Sequence, residues 1–496
     1  MSFFKKTIAA LAALLIFFAS ATPQSEALSI REERELADEF LKAVYAYYDI
    51  VDDHVINDYV TSLGEKLIRG VPRQPFEFRF HVIREDTFNA FAGPGGNIFI
   101  FSGLVEALDT ENELAAIMAH EIAHVTGRHV PEMIARSKKT SFASMAGVIA
   151  GILIGLGGAP AAGAALSLGS MAAGQTMMLA YSRENELQAD FLGLRYLTDA
   201  GYHEYGMLSA LKKIRSREWF GEDEVPTYLK THPAAAERMA MLGNTIPEAP
   251  EKLKNTYEYD RMRTRTMALY GKRGNNLERL SRMAATRPDD PAVQYGLGLA
   301  YAEGGNPEKA VFHLKQAAAL KTGDDIITVA LGRAFFLAGE NQAAADALSR
   351  IENLAHYGPE GLRTMGRVQM AEGNTRDAVK TFKTLLDHYP GDRQTLLFLG
   401  QSLGQENRIG EAHYYLGKFH KAKGDLENAR FHFNRALADI QDPDQKAEIE
   451  NSLREMGGTR QRGKPREDTG GDLKRQGLRL IETGKFHGEG PPALGR

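Results

Sequence analysis

The feature that most constrains the fold is a glycine returning every 34 residues in the C-terminal half: Gly298, Gly332, Gly366 and Gly400. Each follows an apolar residue (Leu297, Leu331, Met365, Leu399), and twelve positions after each comes an alanine: Ala310, Ala344, Ala378, Ala412. Four unrelated helical hairpins would not hold that phase. One helix pair, repeated and stacked, would. Small residues at fixed positions let the two helices of a pair cross closely. Gly417 and Ala429 keep the twelve-residue spacing but start only 17 residues after Gly400, which predicts one helix shared between successive pairs.

Period and small-residue positions match the tetratricopeptide repeat, so an all-α superhelix is expected over 257–455. Such a scaffold presents a surface to protein partners; packing against the N-terminal half is the plainer alternative. From Met456 onward the chain is poor in apolar residues, and 456–496 reads as a flexible polar tail with a candidate short helix at 473–481. The length of 496 residues fits about two to four domains. The net charge of −4 and the lack of a basic block argue against a nucleic-acid binder. With no cysteine, disulfides, thiolate ligands and thiol nucleophiles are excluded.

Lys5 and Lys6 precede an apolar run, Ile8 to Ala19, that ends at Ala19-Ser20-Ala21, with Ser25-Glu26-Ala27 as a second small-x-small site. This is the layout of a signal peptide over 1–27. The run falls short of the ~20 residues a membrane span needs, so cleavage is favoured over an uncleaved anchor, and export is expected.

Residues 28–250 read as a mostly helical α+β domain. Two helices (32–48, 55–68) come first. Phe76, Phe78, Phe80 and Val82 alternate with polar residues as in a half-buried strand. A Gly93-Pro94-Gly95-Gly96 turn leads to a second strand, Asn97, Ile98, Phe99, Ile100 and Phe101. That strand is the expected platform for an extended substrate, which would add alongside it through main-chain hydrogen bonds; an internal strand without a free edge is the alternative. Thr110 and Glu113 form a capping box. Residues 140–182 hold no charged side chain, are rich in Gly and Ala, and are broken by Pro160. A membrane span, a membrane-surface segment and two short helices packed near the active site are all readings of it; the packed pair, touching a membrane at its periphery, is favoured.

On the helix after Thr110 lies His120-Glu121-Ile122-Ala123-His124. Residues four apart share a helical face, so both imidazoles reach one ion while Glu121 stands beside them. Two histidines, one carboxylate and a fourth position left for water make the catalytic zinc arrangement. The carboxylate must come from elsewhere. Ser182-Arg183-Glu184-Asn185-Glu186-Leu187-Gln188-Ala189-Asp190 supplies candidates on a second helix, with Glu186 and Asp190 four apart. One would bind metal and the other would orient a ligating imidazole. Spacing alone does not exclude Glu184.

These motifs resemble the zinc metallopeptidases related to CAAX prenyl protease and the HtpX heat-shock protease. Asn89-Ala90-Phe91-Ala92, Pro94-Gly95-Gly96 and Ser102-Gly103-Leu104 add to the likeness. An exported enzyme joined to such repeats is similar to a periplasmic branch of that family. The resemblance implies a gluzincin-type zinc endopeptidase with one Zn2+ per chain, held by His120, His124 and Glu186. It further implies Glu121 as the base and Asp190 as the orienting partner. It also draws attention to His232 in Thr231-His232-Pro233. In that branch the matching histidine fills the metal's open position and keeps the enzyme latent; stabilising an oxyanion is the other role it would serve. The expected substrates are unfolded or misassembled envelope proteins. The expected partner of the repeats is outer-membrane assembly machinery, with chaperone activity besides proteolysis. The competing reading is a repeat scaffold or chaperone whose metal site is silent.

Overall fold

A computed structural model describes residues 28–136, 181–215, 227–246, 255–271 and 275–458. The expected signal peptide, most of the uncharged stretch, and the tail beyond residue 458 with its short helix lie outside the described residues. Among the described residues, no helix is long and apolar enough to cross a membrane. The chain divides into two compact units, Met1–Arg279 and Leu280–Arg496.

In the first unit, Ser29 and Glu32 cap helix α1 (Ile30–Tyr47) reciprocally, and the Asp53 side chain caps α2 (His54–Ile68) by accepting from the Ile56 amide. Strands β1 (Arg79–Ile83), β2 (Ala90–Ala92) and β3 (Asn97–Phe101) follow. Their order is β1-β3-β2. β3 runs parallel to β1, from Arg79 opposite Asn97 to Ile83 opposite Phe101, and antiparallel to β2. This corrects the expectation that Asn97, Ile98, Phe99, Ile100 and Phe101 form the substrate platform. Both edges of β3 are taken and all five residues are buried. The three-residue β2 was hidden in the sequence because it is too short to show alternation. Gly95 and Gly96, at φ 69° and 82°, let the chain reverse between β2 and β3.

Helices α3 (Ser102–Ala107), α4 (Glu111–Thr126) and α5 (His129–Arg136) come next. The capping box at Thr110 and Glu113 starts α4 as expected. Every residue of α4 from Glu111 to Val125 is buried, because it packs against α2, β2 and two later helices, α6 (Arg183–Asp199) and α7 (Tyr205–Arg215). The short α8 (Thr227–Thr231) and α9 (Ala235–Thr245) precede α10 (Tyr257–Tyr270).

α10 has no clean apolar stripe, yet it is buried by ion pairs. Arg265 Nε donates to both Asp53 oxygens at 2.9 and 2.8 Å. Arg263 reaches Asp109 at 2.7 Å, and Tyr259 donates to the Leu108 carbonyl at 3.0 Å. α10 therefore belongs to the first unit, and the units divide after Arg279 rather than near 257.

The second unit takes up the end of α11 (Asn276–Thr286) and continues in helix pairs: α12 and α13 (Pro291–Glu303, Pro307–Leu320), α14 and α15 (Asp325–Leu337, Asn341–Leu348), α16 and α17 (Pro359–Ala371, Thr375–His388), α18 and α19 (Arg393–Gln405, Ile409–Lys423). Helices α20 (Leu426–Asp439) and α21 (Pro443–Gly458) close it. The recurring glycines mark helix crossings. A Cβ at Gly298, Gly332 or Gly400 would stand 2.6, 2.7 or 2.8 Å from Leu314, Leu348 or Leu416. At Gly366 the obstacle is Phe382, and at Gly417 it is Phe433. Each obstructing side chain sits 16 residues after its glycine. α19 is the shared helix: Leu416 fills the space at Gly400, while its own Gly417 receives Phe433 of α20.

Candidate metal centre

Three segments of the first unit converge on one buried point. α4 brings His120, Glu121 and His124, which are 1%, 0% and 0% exposed. α6, capped by Ser182 and Asn185, brings Glu186 and Asp190 from its first two turns. The loop after α8 brings His232. α6 comes close to α4 at Gly193, where a Cβ would stand 3.1 Å from His120 Cα.

His120, His124, Glu186 and His232 each offer one donor atom, all within 4.8 Å of one another. His120 Nε2 is 3.0 Å from His124 Nε2 and 3.4 Å from His232 Nδ1. Glu186 Oε1 is 3.1 Å from His232 Nδ1 and 3.4 Å from His124 Nε2. Metal bonds of ~2.0–2.1 Å in a tetrahedron place donors about 3.3 Å apart, so the group fits one ion.

Charge points the same way. Glu121, Glu186 and Asp190 are wholly buried, and among the described residues the buried guanidinium beside them is that of Arg238, at 1% exposure. Three carboxylates against one guanidinium leave two formal negative charges, which a divalent cation balances. Burial and the Arg238 charge push the His120 imidazole down, but its hydrogen bonds to Asp190 and Glu186 outweigh them and raise it to about 9.

The outer partners orient the ligands. Asp190 Oδ1 lies 3.0 Å from His120 Nδ1, which leaves the Nε2 lone pair for an ion. His124 Nδ1 lies 2.8 Å from His129 Nδ1, and His129 Nε2 is 3.0 Å from Gln188 Oε1. If His129 donates to Gln188, its free Nδ1 accepts from His124 Nδ1–H, and His124 Nε2 is likewise freed. Arg238 donates through Nε and Nη2 to the two Asp190 oxygens, both at 2.7 Å, and through Nη1 to Glu186 Oε2 at 2.5 Å.

Glu121 stands beside the donors. Its Oε1 is 3.5 Å from His232 Nε2 and accepts from Tyr228 Oη at 3.4 Å, while its Oε2 has no hydrogen-bond partner among the described residues. Burial holds this carboxyl above its ordinary value, against the opposing pull of His232 and His120. Tyr181 stacks on His124 with ring centroids 3.8 Å apart, and Tyr228 stacks on His232 at 4.2 Å.

Residues 56–246 match peptidase family M48, and residues 275–325 and 363–412 match the tetratricopeptide repeat. The first unit carries a peptidase family M48 domain. The chain is a metallopeptidase joined to tetratricopeptide repeats. It is 27% identical over 343 residues to the beta-barrel assembly-enhancing protease of Escherichia coli (strain K12), covering 67% of this chain and 68% of that one. To the putative beta-barrel assembly-enhancing protease of Vibrio cholerae it is 30% identical over 287 residues, covering 56% and 58%. To the mitochondrial metalloendopeptidase OMA1 of Schizosaccharomyces pombe it is 28% identical over 231 residues, covering 45% and 64%.

The M48 domain thus brings together six residues singled out in the sequence: His120, Glu121, His124, Glu186, Asp190 and His232. Glu184 is exposed on α6 and takes no part in the donor group. The sequence did not reveal Arg238, His129, Tyr181 or Tyr228. His129 follows His124 past the end of α4, outside any helical spacing. Arg238 is an ordinary surface-type residue until the fold buries it.

Proposed function

We propose that this chain is an exported zinc endopeptidase that hydrolyses misfolded or misassembled envelope proteins and assists outer-membrane protein assembly. The observation that carries the reading is the buried three-nitrogen, one-carboxylate donor group with Glu121 beside it. His120, His124 and Glu186 would hold the zinc. Zinc, when bound, supplies Lewis acidity, polarising a carbonyl and lowering the pKa of water towards neutrality. Glu121 receives the water's proton at its unpartnered Oε2 and delivers it to the leaving amine. Arg238 and Asp190 keep Glu186 and His120 in position.

His232 Nδ1 lies 3.1 Å from Glu186 Oε1 and 3.4 Å from His120 Nε2, close enough to serve as a fourth donor, which supports a latent resting form held by the chain itself. The substrate platform moves from β3 to β2. Among the described strands β2 pairs with β3 alone; its three residues are buried like those of β3, and it packs on α4. At its head, Asn89 is wholly buried, and neither of its amide atoms has a partner among the described residues. An extended peptide laid along β2 would give that amide its hydrogen bonds. The lysines and apolar run at 5–19 support export to the periplasm, and the names of the bacterial relatives support a role in barrel assembly.

Casein cleavage by the full chain tests the reading. Glu121→Gln should keep its metal and lose about 10²–10⁴-fold in rate, while His232→Ala should cleave faster than the parent. An undiminished rate in Glu121→Gln would refute the mechanism; a dead His232→Ala would make His232 a stabiliser of the transition state instead of a latch.

A further inference from the structure

The repeat unit holds an arginine whose surroundings call for an anion. Arg367, on α16, is half-buried. Its guanidinium lies 4.6 Å from the ring centre of Phe336 on α14 and 5.3 Å from that of Phe398 on α18. It therefore sits between the first helices of three successive pairs. Two more arginines stand near it, and both are engaged with acids. Arg333 pairs with Glu303 at 2.6 Å and with Glu360 at 3.4 Å, and Arg363 pairs with Asp392. No carboxylate lies within ion-pair distance of Arg367 among the described residues. Burial and the charges of Arg333 and Arg363 push its pKa down, with no opposing acid. An aromatic sandwich compensates a cation only in part, and it leaves the planar edge of the guanidinium free to donate two parallel hydrogen bonds.

We propose that the face formed by α14, α16 and α18 binds an extended peptide segment by seating one acidic side chain on Arg367, with apolar residues on either side of that acid lying against Phe336 and Phe398. The surroundings favour this ligand over a nucleic acid or another polyanion. Glu303, Glu360 and Asp392 already neutralise the neighbouring arginines and would repel a second or third phosphate. The rings beside Arg367, with Leu337 (40% exposed) one turn from Arg333, suit apolar side chains. Arginine, with its flat fork, serves this geometry where a lysine would not. Shielding by Phe336 and Phe398 makes the contact depend on the peptide's shape as well as its charge. The proposal gives the repeats a specific ligand chemistry and is independent of the metal centre.

The test uses the full chain with Glu121→Gln, so that the probe is not cut, and reads fluorescence anisotropy. The probe is an acetylated and amidated peptide with one glutamate flanked by leucine and phenylalanine. Its partner has glutamine in place of the glutamate. The glutamate peptide should bind at least ten-fold more tightly, and Arg367→Gln should erase that preference while the far-ultraviolet circular dichroism stays unchanged. Arg367→Lys, which keeps the charge and the fold, should retain only part of it. Equal binding of the two peptides by the parent, an undiminished preference in Arg367→Gln, or Arg367-dependent binding of a single-stranded oligonucleotide in place of the peptide would overturn the proposal. Because binding is read without cleavage, a failed protease assay leaves this result standing, and the reverse holds as well.

Discussion

Arg238 holds two carboxylates at once, Asp190 through two hydrogen bonds and Glu186 through a third. All three groups are out of water. Removing one member of such a buried set costs about 3–5 kcal/mol, because the charges left behind are neither solvated nor paired. A bound divalent cation would supply part of the missing charge. Arg238→Met should therefore lower the melting temperature of the chelated protein more than that of the zinc-loaded protein. Arg238→Lys should rescue little, since an ammonium cannot span both carboxylates. Melting curves with and without chelator decide this; equal losses in the two states would mean that Arg238 does not belong to the ion's electrostatic surroundings. Legibility at this scale followed helical spacing. His120 and His124, or Glu186 and Asp190, announce themselves because four residues bring side chains onto one face. Arg238 and His129 meet the same cluster through tertiary packing, which no local spacing records.

Among the elements, helices were easier to read than strands. The cap at Thr110 and the 34-residue phase mark helix starts and crossings chemically, so α4 and the repeat pairs were legible. β2 was not, because three residues, Ala90–Ala92, carry no period. That loss left β3 with an expected free edge, although β1 and β2 pair with both of its sides. α10 was misplaced for another reason: its burial rests on Arg263, Arg265 and Tyr259 finding partners in Asp109, Asp53 and the Leu108 carbonyl, which hydropathy does not reveal. The crossing role of the repeat glycines is open to direct measurement. Gly366→Val forces extra volume against Phe382 and should destabilise the repeat unit by about 1–3 kcal/mol. Gly391→Ala, with nothing within 4 Å of the new methyl, should be close to neutral. Similar denaturation midpoints for the two variants would remove the packing explanation of the period.

On the scale of the whole molecule, the chain joins a peptidase unit to a repeat unit, and the division after Arg279 has a thermal consequence. Arg265→Leu strands Asp53, which is 5% exposed, without its buried partner. In calorimetry of the full chain, it should lower the transition of the peptidase unit by an amount equivalent to about 3–5 kcal/mol. The transition of the repeat unit should stay in place. A shift confined to the repeat unit would assign α10 to the repeats. The account as a whole depends on His120, His124, Glu186 and His232 closing around one divalent ion. X-ray absorption on the purified full-length chain, with metal counted by elemental analysis, tests that most directly. It should find one zinc per chain, bound by three imidazole nitrogens and one carboxylate oxygen, with one imidazole lost in His232→Ala. A chain that carries no stoichiometric metal, or a metal shell unchanged by Glu186→Ala, would contradict it.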